Sequence, residues 1–126
     1  MSNIYTNFKA KLSTNALTTI YTVPAEKAAI IKSIRVSNED TANDCNISVF
    51  LVDSNSISYN LETDRTIQAK RSQEILATGN MAQDTSDSSV AAPAPLIAKE
   101  SEKIQAQAQN GNDLSIIISV LEISDR

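Results

Sequence analysis

With no histidine in the chain, a reactive centre would have to come from its fifteen carboxylates and its single thiol. The densest acidic group is Glu39, Asp40 and Asp44, in the stretch NEDTAND. General acid–base work needs a carboxyl held in an apolar surround, so that its pKa parts from its neighbour's. The residues between these acids are Asn, Thr and Ala, and the Asx residues favour turns by bonding to nearby backbone. The group therefore reads as a solvated turn. Asp84 and Asp87 could face a calcium ion but lack the regular acidic spacing of calcium loops. Zinc and iron find no ligand set. Cys45 is in phase with Ile47, Val49 and Leu51, which puts it on a core face as a small hydrophobe. No histidine exists to activate it, and a Ser-His-Asp arrangement is excluded for the same reason. Gly79 and Gly111 are the two glycines and stand apart, so no glycine loop cradles a phosphate. These residues predict a protein that is not an enzyme and that carries no cofactor and no metal.

Charge and aromatic content bound the partners. The net charge is −4 and the pI about 4.7. Cations such as Lys9, Lys11, Lys27, Lys32, Arg35, Arg65 and Arg71 are scattered, without the basic stripe that phosphate binding needs. Direct nucleic-acid binding is therefore not expected, and Lys32 with Arg35 reads as a solvated strand face. The five aromatics are Tyr5, Phe8, Tyr21, Phe50 and Tyr59. That is too few for an aromatic-rich hot spot, and favours a broad contact or a weak contact repeated by symmetry. No segment approaches the ~20 apolar residues of a membrane span. The start, MSNIYTNFKAK, lacks the apolar region of a signal peptide, so the expectation is no membrane and synthesis in the cytoplasm. Without a secretion signal, the sequon Asn46-Ile47-Ser48 reads as chance.

The elements that must position these residues alternate with period two. Residues 28–37 (AAIIKSIRVS), 45–52 (CNISVFLV), 104–109 (IQAQAQ) and 114–123 (LSIIISVLEI) each suit a strand with one buried face. Leu17 to Val23 is a further β-branched run, ended by a turn at Pro24-Ala25-Glu26-Lys27. Residues 57–68 hold one or two short strands, residues 66–76 are ambiguous, and Asn110-Gly111 marks a hairpin turn. In residues 28–37 the expected core face is Ile30, Ile34 and Val36 with Lys32. The other expected core residues are Ile47, Val49, Leu51, Leu114, Ile116, Ile118 and Val120. Ile117, Leu121 and Ile123 put apolar groups on the other face of the last strand, which predicts a central strand covered on both sides. The whole is predicted to be all-β: one antiparallel β-sandwich or jelly-roll-like domain of seven or eight short strands, in a chain of 126 residues.

Two segments stand outside that scheme. Residues 1–11 read as an N-terminal arm preceding a domain over residues 12–126, with Ile4, Tyr5 and Phe8 as candidate partner contacts. Residues 79–95 (GNMAQDTSDSSVAAPAP) read as a long irregular loop in which Met81, Val90, Pro93 and Pro95 are further candidate contacts.

Residues 17–53, LTTIYTVPAEKAAIIKSIRVSNEDTANDCNISVFLVD, resemble a segment of small virion structural proteins of tailed bacteriophages. There a strand ends in Tyr-Thr-Val-Pro-Ala, a strand like Ala-Ile-Ile-Lys-Ser-Ile-Arg-Val-Ser-Asn follows, and a polar loop leads to another strand. Residues 96–106 (LIAKESEKIQA) and the closing strand from Asn112 are also similar, so the resemblance covers about two thirds of the chain. Glu26 and Glu100-Ser101-Glu102 stand where that pattern usually has glycine, and residues 69–95 match nothing in it. The resemblance implies a structural protein of the virion, made in the host cytoplasm, whose partners are copies of itself and a larger capsid or tail protein. Capsid decoration is the favoured role, and attachment at the tail, neck or fibre the near alternative. From the residues themselves, the alternative of another class is a carbohydrate- or small-ligand-binding sandwich, with Tyr21 and Tyr59 as the aromatic platforms a sugar would need.

Overall fold

The computed structural model describes residues 3–12, 14–76, 95–109 and 114–124. Within them are nine strands: β1 (Asn3–Leu12), β2 (Thr18–Thr22), β3 (Lys27–Asn38), β4 (Cys45–Val52), β5 (Ser58–Ile67), β6 (Ser72–Glu74), β7 (Leu96–Ala98), β8 (Lys103–Ala108) and β9 (Leu114–Ser124). The expected turn at Asn110-Gly111 and residues 79–94 of the expected loop lie outside the described residues. Among the described residues no helix is long and apolar enough to cross a membrane.

Two antiparallel sheets form the sandwich. Sheet A runs β1-β9-β3-β6, with β7 also on β3, and sheet B runs β2-β8-β4-β5. Strand β1 pairs with β9, β2 with β8, β3 with β6 and β7, and β4 with β5. The first half of the chain thus pairs with the second half in reverse order, as one long hairpin hinged at the β4–β5 turn. Extra ladders, β9 on β3 and β8 on β4, fold that hairpin into two layers. This is jelly-roll connectivity, with eight strand positions. One position is shared by two short strands: β6 lies along Arg35–Ser37, and β7 along Ala29–Ile31.

The break between β6 and β7 falls where β3 is itself irregular. The β3–β9 register jumps between Ile31 and Ser33, which leaves Lys32 as the extra residue of a β-bulge. Glu74, the last residue of β6, braces the bulge. Its carboxylate accepts hydrogen bonds from the Ser33 hydroxyl and, at 2.7 Å, from the Ile34 N–H, while the Ile75 N–H donates to the Ile34 carbonyl at 2.8 Å.

The bulge also corrects the predicted core. Ala29 and Ile31 are buried on one side of it, and Ile34 and Val36 on the other. The extra residue shifts the alternation by one, so Ile30 turns to the outer face and Ile31 takes its place inside. Leu51 is half-buried against the core rather than within it. The other expected core residues, Ile34, Val36, Ile47, Val49, Leu114, Ile116, Ile118 and Val120, are buried, as is Cys45. Each large aliphatic side chain buried this way stabilises the fold by about 1.5–3 kcal/mol.

Three further expectations change. Residues 3–12 are not an arm but strand β1, in register with β9 from Asn3 on Ile123 to Leu12 on Leu114. The lysines and asparagines of this stretch occupy its outward positions, and Phe8, Ala10 and Leu12 point into the core. The count is nine strands rather than seven or eight, because β1 and the short β6 were not expected. Finally, β9 is central in its sheet, but no described strand covers its outer face, where Ile117 is 42% exposed.

Candidate functional site

A polar cluster lies in the interior at one end of β9. Glu122 follows Leu114, Ile116, Ile118 and Val120 in the inward phase of β9 and is buried. Its carboxylate accepts a hydrogen bond from the Tyr21 hydroxyl of β2 at 2.7 Å and one from the Lys27 ammonium of β3 at 3.4 Å. The cluster ties the two sheets together, and Phe8 of β1 lies against the Tyr21 ring with centroids 4.4 Å apart. Burial raises the Tyr21 pKa well above the usual tyrosine value, and the hydrogen bond to Glu122 and its negative charge raise it further. A neutral phenol held on a buried carboxylate braces the core. Parity along β9 was the signal for Glu122, and sequence reasoning stopped one step short of it at Val120.

The acidic turn is equally structural. Buried Asn38 donates to the Asn43 and Ile67 carbonyls and accepts from the Asp40 N–H. Asp40 accepts from the Ala42 and Asn43 N–H groups, Asp44 from the Ala69 N–H, and Glu39 pairs with Lys11 at 3.1 Å. Among the described residues no group of His, Cys, Asp or Glu is arranged to hold a metal.

The outer face of sheet A is different in kind. The ladders set Tyr5 beside Leu121, Leu121 beside Ile30, and Ile30 beside Ile97. These side chains form an apolar row across four strands, about 14 Å wide at the usual strand spacing. Tyr5 is 75% exposed and Ile97 66%. Ile123 and Ala28 extend the apolar zone toward one end of the sheet. Toward the other end come Asn7, Ser119 and Ser33, then Lys9, Ile117 and Arg35. Lys32, exposed at the bulge, joins Lys9 and Arg35 at that end, where Glu74 of β6 lies opposite Arg35. A shallow depression lined by Tyr5, Thr6, Asn7, Lys32, Ser119 and Val120 marks the border of the two zones.

The outer face of sheet B carries Asp64 beside Ser48, Lys103 in phase with Gln105 and Gln107, and Phe50 opposite Gln105, and many of its polar groups are bonded locally. Gln105 donates to the Thr19 hydroxyl, Gln107 to the Asn15 carbonyl, and Thr66 to the Asn46 side chain. The Ser48 hydroxyl accepts from the Asp64 N–H. A polar depression there is lined by Asn15, Ser48, Asp64, Gln107, Ala108 and Gln109, with no aromatic ring. Tyr21 is in the core and Tyr59 stands on the edge strand β5, so the two rings do not form the platform a sugar would need.

Of the expected contact residues, Ile4 and Tyr5 are exposed on β1, and Pro95 is exposed at the start of β7. Phe8 is turned inward onto Tyr21 and is not a free contact. Met81, Val90 and Pro93 lie outside the described residues. Leu121, Ile30 and Ile97 were not expected as contacts. The outward apolar phase of β9 was visible in the sequence, but its continuation across β3 depends on the bulge.

No protein-family model matches this sequence, and a search of curated proteins found no match. Among solved structures, it is similar to a chain of the acidic stable capsid of Helicobacter pylori bacteriophage KHP30, with 16% identity, a TM-score of 0.47, and coverage of 100% of this chain and 90% of that one. It is also similar to a chain of infectious bursal disease virus, Gx strain, with 7% identity and a TM-score of 0.46, covering 95% of this chain and 31% of that one. The VP2 subviral particle of infectious bursal disease virus gives 9% identity and a TM-score of 0.44, covering 98% of this chain and 32% of that one.

Proposed function

We propose that this chain is a non-enzymatic structural protein of a phage virion, and that it decorates the capsid by laying the outer face of sheet A on a larger shell protein. The observation that carries the reading is the unlike chemistry of the two outer faces. Sheet A exposes an apolar row beside Lys32 and Arg35, which form no ion pair among the described residues, while amides and hydroxyls of sheet B are bonded to one another or to nearby backbone. Exposed apolar groups arranged contiguously across strands mark an interaction surface, whereas single ones are ordinary. The resemblance of residues 17–53 to phage virion proteins supplies the setting, since a jelly roll by itself serves many functions. Decoration fits better than attachment at a tail, neck or fibre because the face is broad and poor in large anchors. Such a face binds weakly once and firmly when repeated on a lattice.

The test is the protein content of purified particles. The chain is expected in them at a copy number near that of the major shell protein, and Ile97→Lys is expected to remove it while leaving the fold intact. Absence of the unaltered chain from particles by mass spectrometry would overturn the reading. A copy number of a dozen or fewer would move it to the tail or neck.

A further inference from the structure

Strand β1 ends sheet A. Among the described residues its strand partner is β9, and no described strand pairs with its other side. A free edge of this kind is a template for another strand, and proteins commonly guard it with charge. Lys9 and Lys11 guard the second half of β1. The first half, Asn3-Ile4-Tyr5-Thr6-Asn7-Phe8, carries no charge and is rich in residues that favour strands. Ile4 belongs to the inward phase of β1 yet is 46% exposed, because the sandwich does not cover it.

We propose that β1 pairs antiparallel with β1 of a second copy of this chain, about a twofold axis at Thr6, so that the two copies of sheet A become one continuous sheet. The charge pattern and the apolar row fix the register. With the axis at Thr6, Asn3 lies opposite Lys9 of the second copy, Ile4 opposite Phe8, and Tyr5 opposite Asn7. The uncharged stretches overlap and both lysines of each strand stay at the margins. An axis at Lys9 or Ala10 would set lysine against lysine, which is unfavourable directly across a ladder. The axis at Thr6 also covers Ile4. It places each Tyr5 on the diagonal from its copy, within the reach of aromatic side chains across a ladder. The apolar row of one sheet then continues into the other with a stagger of one pair. A twofold join of this type is self-complementary and closes at two copies, so it does not propagate as a fibre.

The pairing does not rest on the virion reading: a chain found in particles but monomeric in solution would overturn the pairing and leave that reading standing. The experiment is sedimentation equilibrium of the full chain over a range of concentrations, with two double variants at exposed positions. Tyr5→Lys with Asn7→Lys places lysine opposite lysine twice at the join, and Tyr5→Glu with Asn7→Glu places carboxylate opposite carboxylate. The expected result is a dimer for the unaltered chain, a dissociation constant raised roughly tenfold or more for each double variant, and recovery of a dimer when the two variants are mixed. The mixing arm separates a broken interface from a broken fold. A monomer at every concentration for the unaltered chain, a dimer that both variants leave unchanged, or a mixture that stays monomeric would each overturn the proposal.

Discussion

The outer faces of the two sheets rest on one core but differ in how their side chains are partnered. Across sheet B, Gln105, Gln107, Thr66 and Asn46 take part in hydrogen bonds within the face or to backbone beside it. Across sheet A, Leu121, Ile30, Ile97 and the ring of Tyr5 offer apolar surface, and Lys32 and Arg35 stand beside them with no ion pair among the described residues. A polar side chain already bonded to its neighbour gains little from a new partner, because any new hydrogen bond first costs the old one. An exposed apolar side chain gains from nearly any cover that excludes water. The two faces therefore differ in what they can gain from contact, although both are the outside of one sandwich.

The largest expected effects should not distinguish the faces at all. Ile116→Ala in sheet A and Ile47→Ala in sheet B each remove a fully buried side chain from the shared core. Each is expected to lower the unfolding free energy in urea by about 2–5 kcal/mol. A loss confined to one sheet would mean that the sheets do not share a core, and the comparison would lose its basis.

Next in size is the bond that joins the sheets. Tyr21→Phe removes the hydroxyl that donates to Glu122 and is expected to cost about 1–3 kcal/mol. It should also change the response to alkali. The folded state holds the Tyr21 proton more tightly than the unfolded chain does, so the unfolded chain loses it first as the pH rises. The contribution is whole below about pH 10, the ordinary tyrosine value, and declines above it. Melting curves should therefore fall more steeply above that pH for the unaltered protein than for Tyr21→Phe. Parallel curves would show that the hydrogen bond does not persist in solution.

The faces themselves come third. Ile97→Ser on sheet A and Gln105→Ala on sheet B should each change stability by no more than about 0.5 kcal/mol, as surface substitutions do. They should part in assembly: Ile97→Ser weakens association with particles and Gln105→Ala does not. Equal loss from both would break the comparison. The smallest effect is expected at turns. Glu26 (φ 63°) and Ser101 (φ 71°) hold left-handed backbone without being glycine. Glu26→Gly and Ser101→Gly are expected to raise stability by about 0.5–1 kcal/mol each, after the entropy that glycine adds to the unfolded chain is subtracted. Calorimetric melting checks both, and neither should alter assembly.

The last two positions also show what the sequence discloses. Glu26 and Ser101 stood out as departures from a pattern with glycine there, and both adopt the conformation that glycine would take without strain. Local alternation was equally readable, and it gave the all-β sandwich and nearly all of the core on β4 and β9. Alternation fails where a single residue is added without partners. Lys32 looks like any outward lysine, and only the ladder with β9 shows that it breaks the phase and turns Ile30 outward. The candidate surface was less legible for the same reason. Its row is assembled from β1, β9, β3 and β7, which are brought side by side only by long-range pairing. Strand β1 was hidden by composition, since an edge strand with one solvated face reads much like a polar tail.

The reverse-order pairing has a consequence for how the chain is made. In sheet A, β9 lies between β1 and β3, the strands that leave the ribosome early. Until residues 114–124 have emerged, β1 lacks its ladder and β3 lacks its longest one, so early apolar stretches wait for late ones. Sheet B begins sooner, because β4 and β5 are joined by a short turn whose Asp53 carboxylate accepts the Asn55 and Ile57 N–H groups. Contacts distant in sequence form slowly, and unpaired strands invite the wrong neighbours in the meantime. Synthesis would therefore expose the β1 edge twice, once before β9 arrives and once after, and only the second exposure is in a folded molecule.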